Sequence, residues 1–336
     1  MSKLCTAELF ELDLETLARE AQRITRQHFG RTISLYAPLY LANYCENQCT
    51  YCGFSANLRF KREKLGPEQI ETECAALAAT GIQSLLLLTG ESRRHTPVSY
   101  LLEAVGIAKK YFPSLSIEVQ PLETEDYRAL AQAGVDGLAV YQETYDKELY
   151  ARLHLAGKKR DYQYRLATPA RAAQAGIRNI ALGVLLGLGA WRPDVEALFG
   201  HLSALEKEYP GVDFSLSFPR MLQVEGGILP TLVSDADLVR ILCVARILFP
   251  RVGINLSTRE SARFRDHVFS LGVTRMSAAS STIVGGYAEP TPGGKAPSTE
   301  GKNPQFSISD GRSLAEIKTM LISKQYDPVL TDWRRI

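Results

Sequence analysis

The chain has 336 residues, 45% of them apolar and 23% charged, with 39 Lys and Arg against 37 Asp and Glu for a formal net charge of +2. This composition can bury a substantial core and excludes disorder and collagen-like repetition, and so small a net charge argues against nucleic acid or an anionic membrane as a partner. No run of about 18 apolar residues occurs, and the opening MSKLCTAELFELDLE is acidic where a signal peptide is cationic, so a cytoplasmic protein is expected.

In chain order, residues 1–32 read as an N-terminal extension built on one amphipathic helix. From there apolar strand-like runs alternate with helical patterns. The strand candidates are Ile33–Asn43, Ser84–Gly90, Ser116–Leu122, Gly137–Thr144, Asn179–Gly187, Asp213–Arg220, Gly253–Arg259 and Val273–Ser280. Helix candidates follow them at Pro67–Thr80, Ser99–Phe112, Thr124–Gly134, Tyr162–Gly176, Pro193–Tyr209, Asp235–Phe249 and Ser261–Leu271, with a last one at Ser313–Lys324. Runs such as LLLL at 85–88 and ALGVLLGL at 181–188 are continuously apolar, as strands buried on both faces are. Eight strand–helix alternations imply parallel strands, and their simplest closure is a TIM-type (β/α)8 barrel over residues 33–282. Residues 283–336 then form a C-terminal loop and closing helix. Within them Ala288–Pro304 is rich in Pro, Gly, Ser and Thr and reads as a long loop.

In such a barrel the chemistry sits at the carboxyl ends of the strands. Three of the six cysteines fall just after the first strand, as Cys45-x3-Cys49-x2-Cys52. Three thiolates on one tight loop can ligate three irons of a [4Fe–4S] cube and leave the fourth open to substrate or cofactor. A structural zinc site is the competing reading. It needs a fourth ligand at short spacing, whereas the next histidine is His95 and there is no second CxxC. Cys74 and Cys243 fall on apolar helical faces and read as core.

The segment CENQCTYC matches the CxxxCxxC motif of the radical S-adenosylmethionine (SAM) enzymes. Together with YLANYCENQCTYCGFSANLRFKREKL, LLLLTGE, IEVQPL, VYQETYD, HLAGKKRDYQYRLATPARAAQAGI, LGVLLGLGAWR, SFPR, LSTRESARFRD and GGYA, it resembles the 2-iminoacetate synthases, tyrosine lyases of thiamine biosynthesis, from about Arg26 to Trp333. The resemblance implies the radical SAM barrel fold, a [4Fe–4S] cluster on Cys45, Cys49 and Cys52, and SAM at its open iron. It further implies that a 5′-deoxyadenosyl radical takes hydrogen from the amino group of L-tyrosine, after which the Cα–Cβ bond breaks to give 2-iminoacetate and p-cresol. A flavodoxin- or ferredoxin-type reductant and handoff to the thiazole synthase are implied as partners, with RFKREK at 59–64 a candidate docking run.

Residue roles follow from strand-end position and resemblance together. Tyr51, inside the cysteine loop, is expected to pack near the adenine. Glu91 resembles the residue that binds the methionine amino group, Gln142 and Glu143 are placed at the ribose hydroxyls, and Arg165 at the cofactor carboxylate. Gly187 and Leu188 would let the backbone approach the adenine. Arg259 is the candidate for the tyrosine carboxylate, because a guanidinium fork pairs bidentately with carboxylates; its competing reading is an ion pair with Glu260 or Asp266. Ser257, Ser277 and Arg220 would complete the pocket. A tryptophan lyase of the same barrel type is the nearest alternative. A non-catalytic iron–sulfur or zinc module is the alternative of another class, and it gives no reason for Glu91, Gln142 and Arg259.

Overall fold

The structure is a computed structural model and describes residues 5–224, 227–288 and 303–331. Most of the loop expected at 288–304 lies outside these residues. The strands are β1 (Thr32–Ala42), β2 (Ser84–Thr89), β3 (Ser114–Glu118), β4 (Gly137–Glu143), β5 (Asn179–Val184), β6 (Asp213–Ser217), β7 (Gly253–Leu256), β8 (Arg275–Ser277) and β9 (Asp327–Val329). The first eight pair in parallel in sequence order, and β1 closes the ring by pairing with both β8 and β2. β9 joins the seam, pairing with Thr32–Ser34 of β1 below the point where β2 takes over at Ala37.

Each strand divides its residues between two environments, as the two-residue side-chain period dictates. Ile33, Leu35, Leu39, Leu85, Leu87, Leu115, Ile117, Leu138, Val140, Ile180, Leu182, Leu216, Ile254 and Met276 point outward into one apolar layer beneath the helices. The alternate positions point to the barrel axis and are largely polar. Ser34, Ser84, Ser114, Ser116, Asn179, Ser215 and Asn255 line a cavity of about 620 Å³ in the lower barrel, with Tyr36 and Tyr141 also on its wall. The runs at 85–88 and 181–184 are apolar on both faces as expected, with Leu86 and Ala181 on the inner wall, whereas on β3 the inward Ser114 and Ser116 are polar. This cavity lies toward the amino ends of the strands, away from the cysteines.

Local signals explain the helix boundaries. Pro67 opens the helix Pro67–Ala79, where its missing N–H leaves no bond unmade. Gly134, at φ 118°, ends Thr124–Ala133 in the left-handed conformation that a side chain disfavours. The single helix expected over Tyr162–Gly176 is two, Tyr162–Leu166 and Thr168–Gln174, because Pro169 cannot continue a hydrogen-bond ladder and instead starts a new one. A short helix, Lys147–Leu153, capped by the Asp146 carboxylate, was not expected from the sequence.

Candidate active site

The loop between β1 and the helix at Pro67 carries Cys45, Cys49 and Cys52, and it is held from several sides. The Arg62 guanidinium donates to the carbonyls of Asn43 (2.7 Å), Phe54 (2.8 Å) and Ser55 (2.7 Å). Across the loop, Thr50 N donates to Leu153 O (3.1 Å) and Leu155 N to Gln48 O (2.8 Å), a short antiparallel bridge to the end of Lys147–Leu153. Asn47 donates to Glu91 Oε2 at 2.7 Å and accepts from Lys159 N at 3.0 Å. Gly90 is required where it stands, since a Cβ there would lie 2.3 Å from Tyr44 O.

Tyr51 is 8% exposed and shares an apolar patch with Cys49, Leu153, Leu185, Leu188 and Met221. Its hydroxyl lies 2.8 Å from His154 Nε2, and His154 Nδ1 lies 2.8 Å from the Tyr150 carbonyl. A carbonyl only accepts, so Nδ1 carries the proton and Nε2 accepts from Tyr51. Burial, reinforced by Lys159, pushes the His154 pKa down to about 3, so the ring is neutral. No ligand spacing marked this histidine in the sequence.

Three glutamates stand at consecutive strand ends. Glu91, after β2, receives Arg165 Nη1 at 2.8 Å, and Glu143, ending β4, receives Lys159 Nζ at 2.7 Å, with Arg165 Nη2 at 3.7 Å. Burial opposes ionisation of both carboxyls, but Arg165 and Lys159 outweigh it and hold both below the usual range. Glu143 reaches its position through a break in the β4–β5 register and a φ of 72°. That break separates it from Gln142, whose amide donates to the Tyr162 carbonyl at 3.4 Å on the outer side of β4. The structure does not bring Gln142 to the mouth beside Glu143. Lys159 was not singled out in the sequence.

The third glutamate, Glu118 at the end of β3, was also missed. It is half-buried, with no hydrogen bond or ion pair among the described residues. Burial, followed by Glu143, pushes its pKa up to about 7.

Arg259 is half-buried at the mouth, its guanidinium 3.4 Å from the centre of the Phe306 ring. The carboxylates that could have claimed it pair elsewhere: Glu260 with Arg220, and Asp266 with Arg312 at 2.9 Å. Arg220 also bonds Asp235 at 2.8 Å and the Val233 carbonyl at 3.0 Å, so its fork is committed within the protein. Ser257 Oγ accepts from Arg259 N at 3.3 Å and Ser277 Oγ from Thr258 N at 3.1 Å, so both serines shape the turn that presents Arg259. Gly187, at φ 101°, accepts from Thr231 N at 2.7 Å.

A strap over residues 303–312 crosses the mouth. Gly53 N donates to Gln305 O (3.2 Å), Tyr40 Oη to Gln305 Oε1 (2.5 Å), and Ser309 N to Thr258 O (2.8 Å). The strap is anchored by Asp310, fully buried between Arg265 and Arg312.

Residues 39–200 match the Radical SAM superfamily and residues 217–327 the Biotin and Thiamin Synthesis associated domain. The chain is 44% identical over 322 residues to 2-iminoacetate synthase of Salmonella typhimurium, covering 95% of this chain and 83% of that protein, and equally to that of Escherichia coli. The chain belongs to the 2-iminoacetate synthase family. Among solved structures it is similar to the FeFe-hydrogenase maturase HydG from Carboxydothermus hydrogenoformans, with a TM-score of 0.88 and 32% identity over 97% of this chain and 76% of that one.

A [4Fe–4S] cluster and SAM are the cofactors of this 2-iminoacetate synthase family member, and the donor set fits them. Three soft sulfurs share one loop, while Cys74 and Cys243 are sealed in the main core and Cys5 is exposed near the amino terminus. Phe54 N donates to Cys52 Sγ at 3.4 Å, the kind of support that orients a ligating thiolate. Burial raises all three thiols, Cys45 to about 11, so ligation must displace their protons. Among the described residues no three His, Cys, Asp or Glu side chains converge on one ion position.

Proposed function

We propose that this chain is a radical SAM lyase that cleaves the Cα–Cβ bond of L-tyrosine to 2-iminoacetate and p-cresol, supplying the thiazole precursor of thiamine. The observation that carries this reading is the pairing, at one barrel mouth, of a three-cysteine loop with a guanidinium that no carboxylate occupies among the described residues. Likeness of 44% to two 2-iminoacetate synthases supports it.

Cys45, Cys49 and Cys52 hold the cluster. When bound, cluster and SAM together supply the one-electron cleavage that delivers a 5′-deoxyadenosyl radical. Glu91, fixed by Asn47 and Arg165, accepts from the cofactor's amino group. The patch of Tyr51, Leu188 and Met221 offers its apolar face to the adenine, with the Tyr51 ring held by His154. Glu143 faces the ribose. Arg259 takes the tyrosine carboxylate, and the strap at Gln305–Phe306 keeps water and stray hydrogen donors from the mouth. A flavodoxin- or ferredoxin-type reductant and the thiazole synthase are the partners of this reading.

Anaerobic reconstitution should give a brown protein that, with reductant and SAM, forms 5′-deoxyadenosine and p-cresol from tyrosine. Turnover of tryptophan but not tyrosine would overturn the substrate, and no SAM cleavage would overturn the class. The C49A variant should be colourless and inactive.

A further inference from the structure

Of the three strand-end glutamates, two are matched to protein cations and one is not. Arg165 and Lys159 are spoken for by Glu91 and Glu143, leaving the Glu118 carboxylate unpaired among the described residues. Arg259 follows β7 and likewise has no carboxylate partner among the described residues. In the ring order β3-β4-β5-β6-β7 these two strands are four apart in a barrel of eight, so Glu118 and Arg259 face each other from opposite walls. They lie beyond the 4.0 Å of an ion pair, yet each is among the charges that shift the other's proton affinity. An anion and a cation held half-buried, apart and unpaired are the complement of a zwitterion.

We propose that Glu118 binds the α-ammonium of the amino-acid substrate while Arg259 binds its α-carboxylate, so that the two together form a head-group receptor across the barrel mouth. This deepens the tyrosine-lyase reading and rests on it. A buried carboxylate desolvated without a partner is costly, and the cost is recovered when the ammonium arrives. The groups whose charges act on Glu118 are Glu143 from β4, Arg259 from the turn after β7, and Lys159 and Arg165 from the segment between β4 and β5; the hydroxyls of Tyr36, Tyr40 and Tyr141 feel its charge in return. With burial, and then Glu143, holding Glu118 partly protonated near neutrality, substrate binding must expel a proton.

The test is equilibrium dialysis of the reconstituted, SAM-loaded and unreduced protein against L-tyrosine and against 3-(4-hydroxyphenyl)propanoate, which lacks the amino group. The wild type should prefer tyrosine by about 10- to 100-fold, the scale of a hydrogen bond between charged groups. E118Q should lose most of that preference while its affinity for SAM and for the deamino acid stays unchanged, and E118D should keep part of it. Tyrosine affinity should rise with pH through about 7 in the wild type and be flat in E118Q. An E118Q protein with intact cluster absorbance and undiminished preference for tyrosine would overturn the proposal. So would one that lost SAM affinity, or one that instead lost discrimination against phenylalanine, which would place the carboxylate at the phenol. A wild type that binds no tyrosine would overturn the substrate reading itself, and the receptor with it.

Discussion

At the scale of single residues, the mouth is organised by which charges are satisfied within the protein. Arg220 and Arg259 both follow apolar strands, but Arg220 is locked to Glu260 and Asp235 while Arg259 meets an aromatic face and, among the described residues, no carboxylate. R259A should therefore weaken tyrosine binding by about 2 kcal/mol, the worth of a hydrogen bond to a charged group, and leave SAM affinity unaltered; equilibrium dialysis with both ligands separates the two. Glu118 carries a stability signature as well. Its folded pKa lies above the ordinary carboxylate value, so folding favours its protonated form and that contribution is lost as pH rises from about 4.5 through about 7. E118Q should raise the melting temperature above pH 7 and leave it unmoved below pH of about 4.5, which a thermal scan across pH reads directly.

Legibility at this scale depended on register. Glu91 and Glu143 are legible because strand-end position and family resemblance coincide at them. Glu118 falls inside the strand expected at Ser116–Leu122, whereas the strand runs Ser114–Glu118 and places its carboxylate at the end. Gln142 was misplaced for the complementary reason, since the register break that turns Glu143 inward leaves no mark in sequence. His154 could not be seen either, because its partner Tyr51 is 103 residues away.

At the scale of elements, the cysteine loop has no regular structure of its own and takes its shape from what surrounds it. Arg62 gathers its carbonyls, the end of Lys147–Leu153 pairs with its backbone, and Gly53 ties it to the strap. The strap depends in turn on Asp310, whose two arginine partners come from the helix Ala262–Val268 and from its own turn. Removing one member of a fully buried ion pair leaves an uncompensated charge, so D310A should cost about 3–5 kcal/mol. The denaturant midpoint should fall accordingly, and limited proteolysis should reach the 303–312 segment in the variant before the wild type. None of this was legible from the sequence, because long-range ion pairs have no local pattern. The Tyr162 helix break was legible in principle, from Pro169.

At the scale of the whole molecule, the alternation of strands and helices was enough to give the barrel, while β9 was not foreseen. Three residues of β9 complete a seam that only the closed ring creates. The largest difference lies along the axis. The lower barrel is a cavity of about 620 Å³ with serines and asparagines on its wall, and no purely local pattern distinguishes a serine facing such a space from one facing solvent.

That hollow axis divides the work of holding the protein together very unequally. The main apolar core resides in the sleeve between strands and helices, where Leu115, Ile117 and Leu87 are sealed. Tolerance to substitution should accordingly alternate residue by residue along each strand. On β3, I117A should cost about 2–5 kcal/mol while its neighbour S116A stays within about 0.5 kcal/mol, a contrast that paired urea titrations would reveal. A barrel built this way can exchange the side chains along its bore without loosening its frame, which leaves the lining free to change as the molecules it must accommodate change.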